Sequence, residues 1–232
     1  MSYLIVGGTA GIGNEIVRRL SSKGNKVFVT GRTQKNLDEI NNVDFYEWNS
    51  EDENSQLPEI SEPLSGIVYC PGTIILKPFK NLTDNDFLYE YTVNLLGAVR
   101  VIRKYLPNLK SSENSAIVLF STVAVQMGMS FHSSIASAKG AIEGLTRSLA
   151  AEFAPSIRVN CIAPSLTDTA LAGKLLGNEE KRDAAAKRHP LNKFGTVEDI
   201  ASAAVYLLSS DSGWITGQIM SVDGGMSSVK TF

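Results

Sequence analysis

The chain has 232 residues, 43% of them apolar and 20% charged, with a formal net charge of −2. That length holds one large α/β domain with a sizeable core, and that composition excludes a disordered chain. The near-neutral charge excludes a strong basic field, so neither a nucleic-acid nor a membrane partner is expected.

The short apolar runs, in chain order, are Tyr3–Val6, Lys26–Thr30, Val43–Trp48, Gly66–Cys70, Ser115–Ser121, Ser156–Ile162 and Gln218–Val222. Continuous apolar runs of this length suit strands buried on both faces, as in a parallel sheet. Between them, helical periodicity is read over 11–23, 33–41, 83–109, 133–153 and 196–209. Alternation of this kind predicts right-handed crossovers and a doubly wound parallel sheet of about seven strands in a single domain spanning 1–232. The stretch 49–65, acidic and carrying Pro58 and Pro63, reads as a loop or as one short helical turn in place of a longer crossover helix. The segment 168–192, with helical pattern over 170–176 and 179–187, follows a strand end and is expected to form a lid over a site.

Two cysteines, Cys70 and Cys161, are too few for a disulfide framework and lack zinc-ligand spacing, so no metal is expected. An apolar strand begins at Tyr3 with no basic leader, and the longest apolar run is broken by Pro71 and Gly72. A cytoplasmic location is the resulting expectation.

Chemistry is legible first in Ile5-Val6-Gly7-Gly8-Thr9-Ala10-Gly11-Ile12-Gly13. Gly7 allows a tight turn after the first strand, Gly11 a close approach of backbone to a pyrophosphate, and Gly13 tight helix–strand packing. The helix that opens there presents free N–H groups to an anion.

The spacing Gly7-x-x-x-Gly11-Ile12-Gly13 resembles the glycine signature of the short-chain dehydrogenases/reductases. The resemblance continues through Val93-Asn94-Leu95, Ala136-Ser137-Ala138-Lys139, Val159-Asn160-Cys161-Ile162-Ala163-Pro164, Phe194-Gly195 and Val222-Asp223-Gly224-Gly225. It implies a Rossmann fold that binds a nicotinamide dinucleotide and transfers hydride to or from a carbonyl or alcohol carbon. On this resemblance the cofactor is held by Gly7, Thr9, Gly11, Ile12, Gly13, Arg32, Asn49, Gly72, Asn94, Lys139, Pro164, Thr167 and Thr169. Arg32 ends the second strand where an acidic residue would favour NAD, so NADP(H) is favoured over NAD(H). Its other reading is a surface arginine. Asn49 stands in the place of the adenine-contacting aspartate, or is a strand-end turn residue. Thr169 either lies near the nicotinamide carboxamide or caps a helix.

Family members use Asn, Ser, Tyr and Lys for catalysis, the last two four residues apart on one helix. Here Lys139 is present but the tyrosine position is Ile135, and no tyrosine occurs between Tyr105 and Tyr206. Thr122 stands at the serine position, with Ser121 as the alternative, and Asn94 matches the asparagine. His132 is a candidate substitute acid if it shares a helix face with Ile135 and Lys139; otherwise it is a loop or interface residue. Ser133 and Ser134 are weaker candidates, one of them a possible helix N-cap. His189, in the segment 168–192, has no defined role. The basic residues of that segment point to an acidic substrate or to a solvated helix face.

Three function classes follow. The first is an NADP(H)-dependent oxidoreductase with an altered site. The second is a non-catalytic dinucleotide-binding sensor or assembly protein. The third is non-redox dehydratase or isomerase chemistry on the same fold. The resemblance also implies a homodimer or homotetramer joined through the helices that carry Asn94 and Lys139.

Overall fold

The computed structural model describes residues 1–230. Seven strands form one sheet: β1 (Ser2–Val6), β2 (Lys26–Gly31), β3 (Val43–Glu47), β4 (Gly66–Tyr69), β5 (Ser115–Phe120), β6 (Ile157–Pro164) and β7 (Ile219–Val222). All pair in parallel, in the order β3-β2-β1-β4-β5-β6-β7. The expected runs become strands because both sheet faces are covered: β1, β2, β4 and β5 are buried along almost their whole length.

The helices are α1 (Gly11–Ser22), α2 (Asp84–Tyr91), α3 (Gly97–Lys110), α4 (Val123–Met127), α5 (Ser133–Phe153), α6 (Glu179–Lys187) and α7 (Val197–Leu208). Ile16, Val17 and Leu20 of α1 pack with Ile200, Ala204 and Leu207 of α7 on one face of the sheet. Val101, Tyr105 and Leu109 of α3 pack with Ile142, Ala150 and Phe153 of α5 on the other. Strand order reverses between β1 and β4, so their carboxyl ends open a crevice where ligands bind in sheets of this kind.

Three expectations are corrected. The pattern at 33–41 forms bends and turns, not a helix. Nine residues are too few to hold a helix without a packed face. Here Leu37 is buried, while Asn36 adopts φ 57° and donates through Nδ2 to the Thr9 carbonyl at 3.0 Å. The pattern over 83–109 is interrupted by a π-helical turn at Thr92–Leu96, and that turn carries Asn94. Insertions of this type gather at functional sites. The helix expected over 170–176 is one 3₁₀ turn, Ala170–Ala172, ended at Gly173.

Thr196 caps α7 in a reciprocal box: its hydroxyl accepts from the Asp199 N–H, and Asp199 accepts from the Thr196 N–H at 3.0 Å. Thr196→Ala is expected to cost about 1 kcal/mol in chemical denaturation, with no change in ligand binding. A cost near zero would show the cap to be idle. Among the described residues no helix is long and apolar enough to cross a membrane, and no cluster of His, Cys, Asp and Glu is placed to hold a metal.

Candidate active site

The turn after β1 is built on backbone. Gly7 has φ 74° and donates to the Thr30 carbonyl at 2.7 Å, which ties the turn to β2. A Cβ on Gly13 would lie 2.4 Å from the Gly7 carbonyl oxygen, so only glycine fits. The N-cap of α1, Ala10, makes no side-chain capping bond, and the first turn carries no acid, so its first N–H groups are left as donors for an anion. Gly8 is as confined as its neighbours: its Cβ would meet Val29 at 2.8 Å and Val17 at 2.9 Å.

A cavity of about 300 Å³ runs over this turn and is lined by Gly7, Thr9, Gly11, Gly13, Arg32 and Asn49 among others. Arg32 is 73% exposed and reaches Glu51, another residue lining this cavity, at 3.4 Å. The Asn49 side-chain oxygen accepts from the Glu51 N–H at 3.1 Å, which is turn geometry and orients the segment that carries Glu51. Thr169 lies against the glycine turn, 3.6 Å from where a Gly11 Cβ would stand.

A second cavity of about 290 Å³ adjoins the first and shares Ile12, Cys70, Gly72, Thr169 and Leu171 with it. It brings together Thr122, His132, Ile135, Lys139, Pro164 and Thr167. Its walls are largely apolar, with Ile74, Leu76, Met129, Ile135, Leu171 and Leu175.

Lys139 and Ile135 are both buried on α5, at 8% and 3% exposure. Burial brings the Lys139 ammonium down to about 8, and Nζ donates to the Phe120 carbonyl at 2.9 Å. Asn94 Nδ2 donates to the Glu90 carbonyl at 2.9 Å and to the Glu90 carboxylate at 3.0 Å, while its Oδ1 is buried with no hydrogen-bond partner. That oxygen and Lys139 Nζ both face Gly72, 3.3 and 3.6 Å from where a Cβ would stand. An orphaned acceptor and an ammonium facing one bare backbone position make a cradle for a polar ligand group.

Glu90 is fully buried and accepts from the Thr73 hydroxyl at 2.5 Å and from the Ile75 N–H at 2.6 Å. It therefore fixes both the Asn94 amide and the loop after β4. Its only local signal is a lone acid one helical turn before Asn94.

Thr122 and Ser121 are separated by their partners. Ser121 donates to Glu143 at 2.7 Å, whereas Thr122 caps α4 by accepting from Ala124 and keeps its own hydrogen. His132 is itself the N-cap residue of α5, so neither Ser133 nor Ser134 holds that position. It lines the cavity from the helix start, and its Nδ1 lies 2.8 Å from the Ser130 carbonyl. His189 is buried in the same cavity wall, with Nε2 2.8 Å from Ser165 Oγ and Nδ1 2.8 Å from the Ala185 carbonyl. The two partners are 24 residues apart in the chain, and no local pattern marks the pairing.

A family model described as Enoyl-(Acyl carrier protein) reductase matches residues 7–227. A tropinone reductase homolog of Arabidopsis thaliana is 33% identical, over 96% of this chain and 90% of its own. The L-xylulose reductase of Bos taurus is 30% identical, over 96% and 94%. Among solved structures, a short-chain type dehydrogenase/reductase from Mycobacterium ulcerans superposes with a TM-score of 0.88 at 25% identity, over 97% of this chain and 89% of that one. ElxO with NADP bound superposes with a TM-score of 0.87 at 25% identity, over 98% and 99%.

Proposed function

Because the chain belongs to the short-chain dehydrogenase/reductase family, we propose that it is an NADP(H)-dependent oxidoreductase acting on a small carbonyl or alcohol, with Ile135 standing where the family carries its tyrosine. The observation that carries this reading is the pair of adjoining cavities: one over a glycine turn with N–H donors, the other over buried Lys139. When bound, the nicotinamide supplies or accepts the hydride.

The protein's part is to bind and orient. Gly7, Thr9, Gly11, Ile12 and Gly13 take the pyrophosphate. Arg32 takes the adenosine phosphate, and Asn49 borders the adenine. Gly72, Asn94 and Lys139 take the ribose, while Pro164, Thr167 and Thr169 border the carboxamide. Thr122 contributes a polar hydrogen beside the carbonyl, His132 borders it, and apolar walls exclude water. The segment 168–192 serves as the lid: Ala172, Leu176 and Ala185 pack against Leu166 and Phe194, and Leu171 and Leu175 face the cavity. Leu88 in α2 and Leu96 in the π-helical turn, at 64% and 49% exposure, support a homodimer or homotetramer through the helices that carry Asn94 and Lys139.

NADPH oxidation against a panel of ketones and aldehydes tests the reading. Lys139→Ala and His132→Ala are expected to lower the rate; indifference to both removes the proposed chemistry. The apolar side chain at 135 favours a second reading, a dinucleotide-binding protein without turnover. Binding without turnover in the native chain, and reductase activity on Ile135→Tyr, would support it.

The Arg32–Glu51 pair makes a separate prediction. A 2′-phosphate must compete with Glu51 for the guanidinium. Arg32→Ser is expected to weaken NADPH binding about tenfold while leaving NADH nearly unchanged, and Glu51→Gln to tighten NADPH a fewfold. Titration calorimetry reads both; equal losses for the two cofactors on Arg32→Ser would remove Arg32 from phosphate recognition.

A further inference from the structure

The oxidoreductase reading leaves open which group protonates the substrate oxygen, and the hydroxyls of the second cavity narrow the choice. Ser121 is spent on Glu143 and Thr73 on Glu90. Thr167 donates to the Ser165 carbonyl at 3.0 Å, and Thr169 to the Thr167 carbonyl at 3.4 Å. Thr122 keeps its hydrogen and accepts from the Ala124 N–H rather than from an imidazole. His132 has Nδ1 bound to the Ser130 carbonyl at the start of α5. Ser165 alone among these hydroxyls is joined to an imidazole.

The Ala185 carbonyl can only accept, so His189 carries a hydrogen on Nδ1. In the neutral ring Nε2 accepts from Ser165. In the charged ring Nε2 donates to Ser165 Oγ, and the serine's own hydrogen is released toward the cavity or toward Met226 Sδ, 3.1 Å away. Asp223 lies near His189. Burial alone would raise its carboxyl, but Ser227, Gly225 and the nearby His189 hold it below its usual value. Phe120 pairs with Ile162 in the sheet, so Thr122 and Ser165 leave adjacent strand ends at the same edge. Ser165 and His189 line the same cavity as Ile135 and Lys139.

We propose that Ser165 is the proton donor to the substrate oxygen and that His189 supplies it, the pair doing the work of the missing phenol; this rests on the oxidoreductase reading. In reduction, the carbonyl carbon gains hydride from the dihydronicotinamide and the π pair moves onto oxygen. That oxygen takes the Ser165 proton, and Ser165 takes the Nε2 proton of charged His189. The carbonyl ends as an alcohol, the cofactor oxidised and His189 neutral, to be recharged from solvent. Ser165 directly follows β6 and His189 sits in the segment 168–192, so the donor is complete only when that segment is seated.

The test compares the native chain with Ser165→Ala and His189→Gln. NADPH affinity by calorimetry is expected to hold within about twofold in both. The rate of carbonyl reduction at saturating substrate is expected to fall about 10²-fold with KM unchanged, and its solvent deuterium isotope effect to vanish. Without any cofactor, the ¹⁵N resonance of His189 Nε2 is expected to move in Ser165→Ala. An unmoved resonance, native rates in both variants, or NADPH bound by the native chain without turnover of any carbonyl would each overturn the relay and leave dinucleotide binding standing. Failure of the native chain to bind NADPH or NADH would bring down the oxidoreductase reading itself.

Discussion

Gly13→Ala is expected to weaken dinucleotide binding by about 10²-fold or more while the chain still folds. The added Cβ would meet the Gly7 carbonyl oxygen at 2.4 Å, the Gly7 carbonyl carbon at 3.0 Å and the Gly8 Cα at 3.1 Å. All three are backbone atoms, so relief requires moving the turn or the start of α1. Overpacking of this kind costs about 1–3 kcal/mol in stability, less than a domain of this size holds. The loss in binding is larger because the displaced atoms are the ones that set the N–H donors around the phosphates. Gly144→Ala on α5 is the matched control, since nothing lies within 4 Å of its added methyl. Thermal unfolding and NADPH titration on the two variants separate folding from binding. Native affinity in a folded Gly13→Ala chain would place the ligand elsewhere.

The second large effect concerns Lys139. Its ammonium titrates at about 8 in the fold against an ordinary 10.5, because burial disfavours the charged form. Between those values the unfolded chain binds a proton that the folded chain does not. Stability therefore rises with pH across the window, by about 3 kcal/mol if nothing opposed it. Cys70 and Cys161 do oppose it. Burial pushes both thiols up to about 12 from 9, so above pH 9 the folded chain keeps protons the unfolded chain has lost, and stability falls.

The contribution of Lys139 is thus read as the difference between the native chain and Lys139→Met. The native chain is expected to gain about 1 kcal/mol over the variant between pH 8 and 9 in urea denaturation. Over the same range its affinity for the dinucleotide is expected to decline as the ammonium that faces the cradle at Gly72 is lost. Parallel stability curves for the two proteins would mean that Lys139 stays charged, through its bond to Phe120 and the nearby Glu90.

The sheet was legible because each strand is a continuous apolar run, a pattern that needs no partner to be seen. Tyr3–Val6 and Ser115–Phe120 are buried almost throughout, as their residues demand. The glycine turn was legible for a related reason: Gly7 and Gly13 answer to backbone geometry within a few residues. Residues 33–41 misled because Leu37 and Ile40 mimic a helical face, while Asn36 turns the backbone left-handed and ties it to Thr9. The π-helical turn at Asn94 was hidden in an unbroken helical period.

What the sequence could not carry were pairings between distant residues. Glu51 on Arg32, Glu90 on Thr73, and His189 on Ser165 each join positions that are neighbours only after the sheet has formed. His189 shows the point most plainly. In sequence it is a histidine before a proline in a basic segment; in the fold it is buried, oriented and joined to Ser165 just past the end of β6.

The central claim is that the bend after β1 and the crevice beside it receive a nicotinamide dinucleotide with Arg32 at its adenosine end. Calorimetric titration of the native chain with NADPH and with NADH tests it most directly. One dinucleotide bound per chain, with NADPH the tighter of the two, is the expected result. No detectable heat with either cofactor, from a chain shown to be folded, would contradict it.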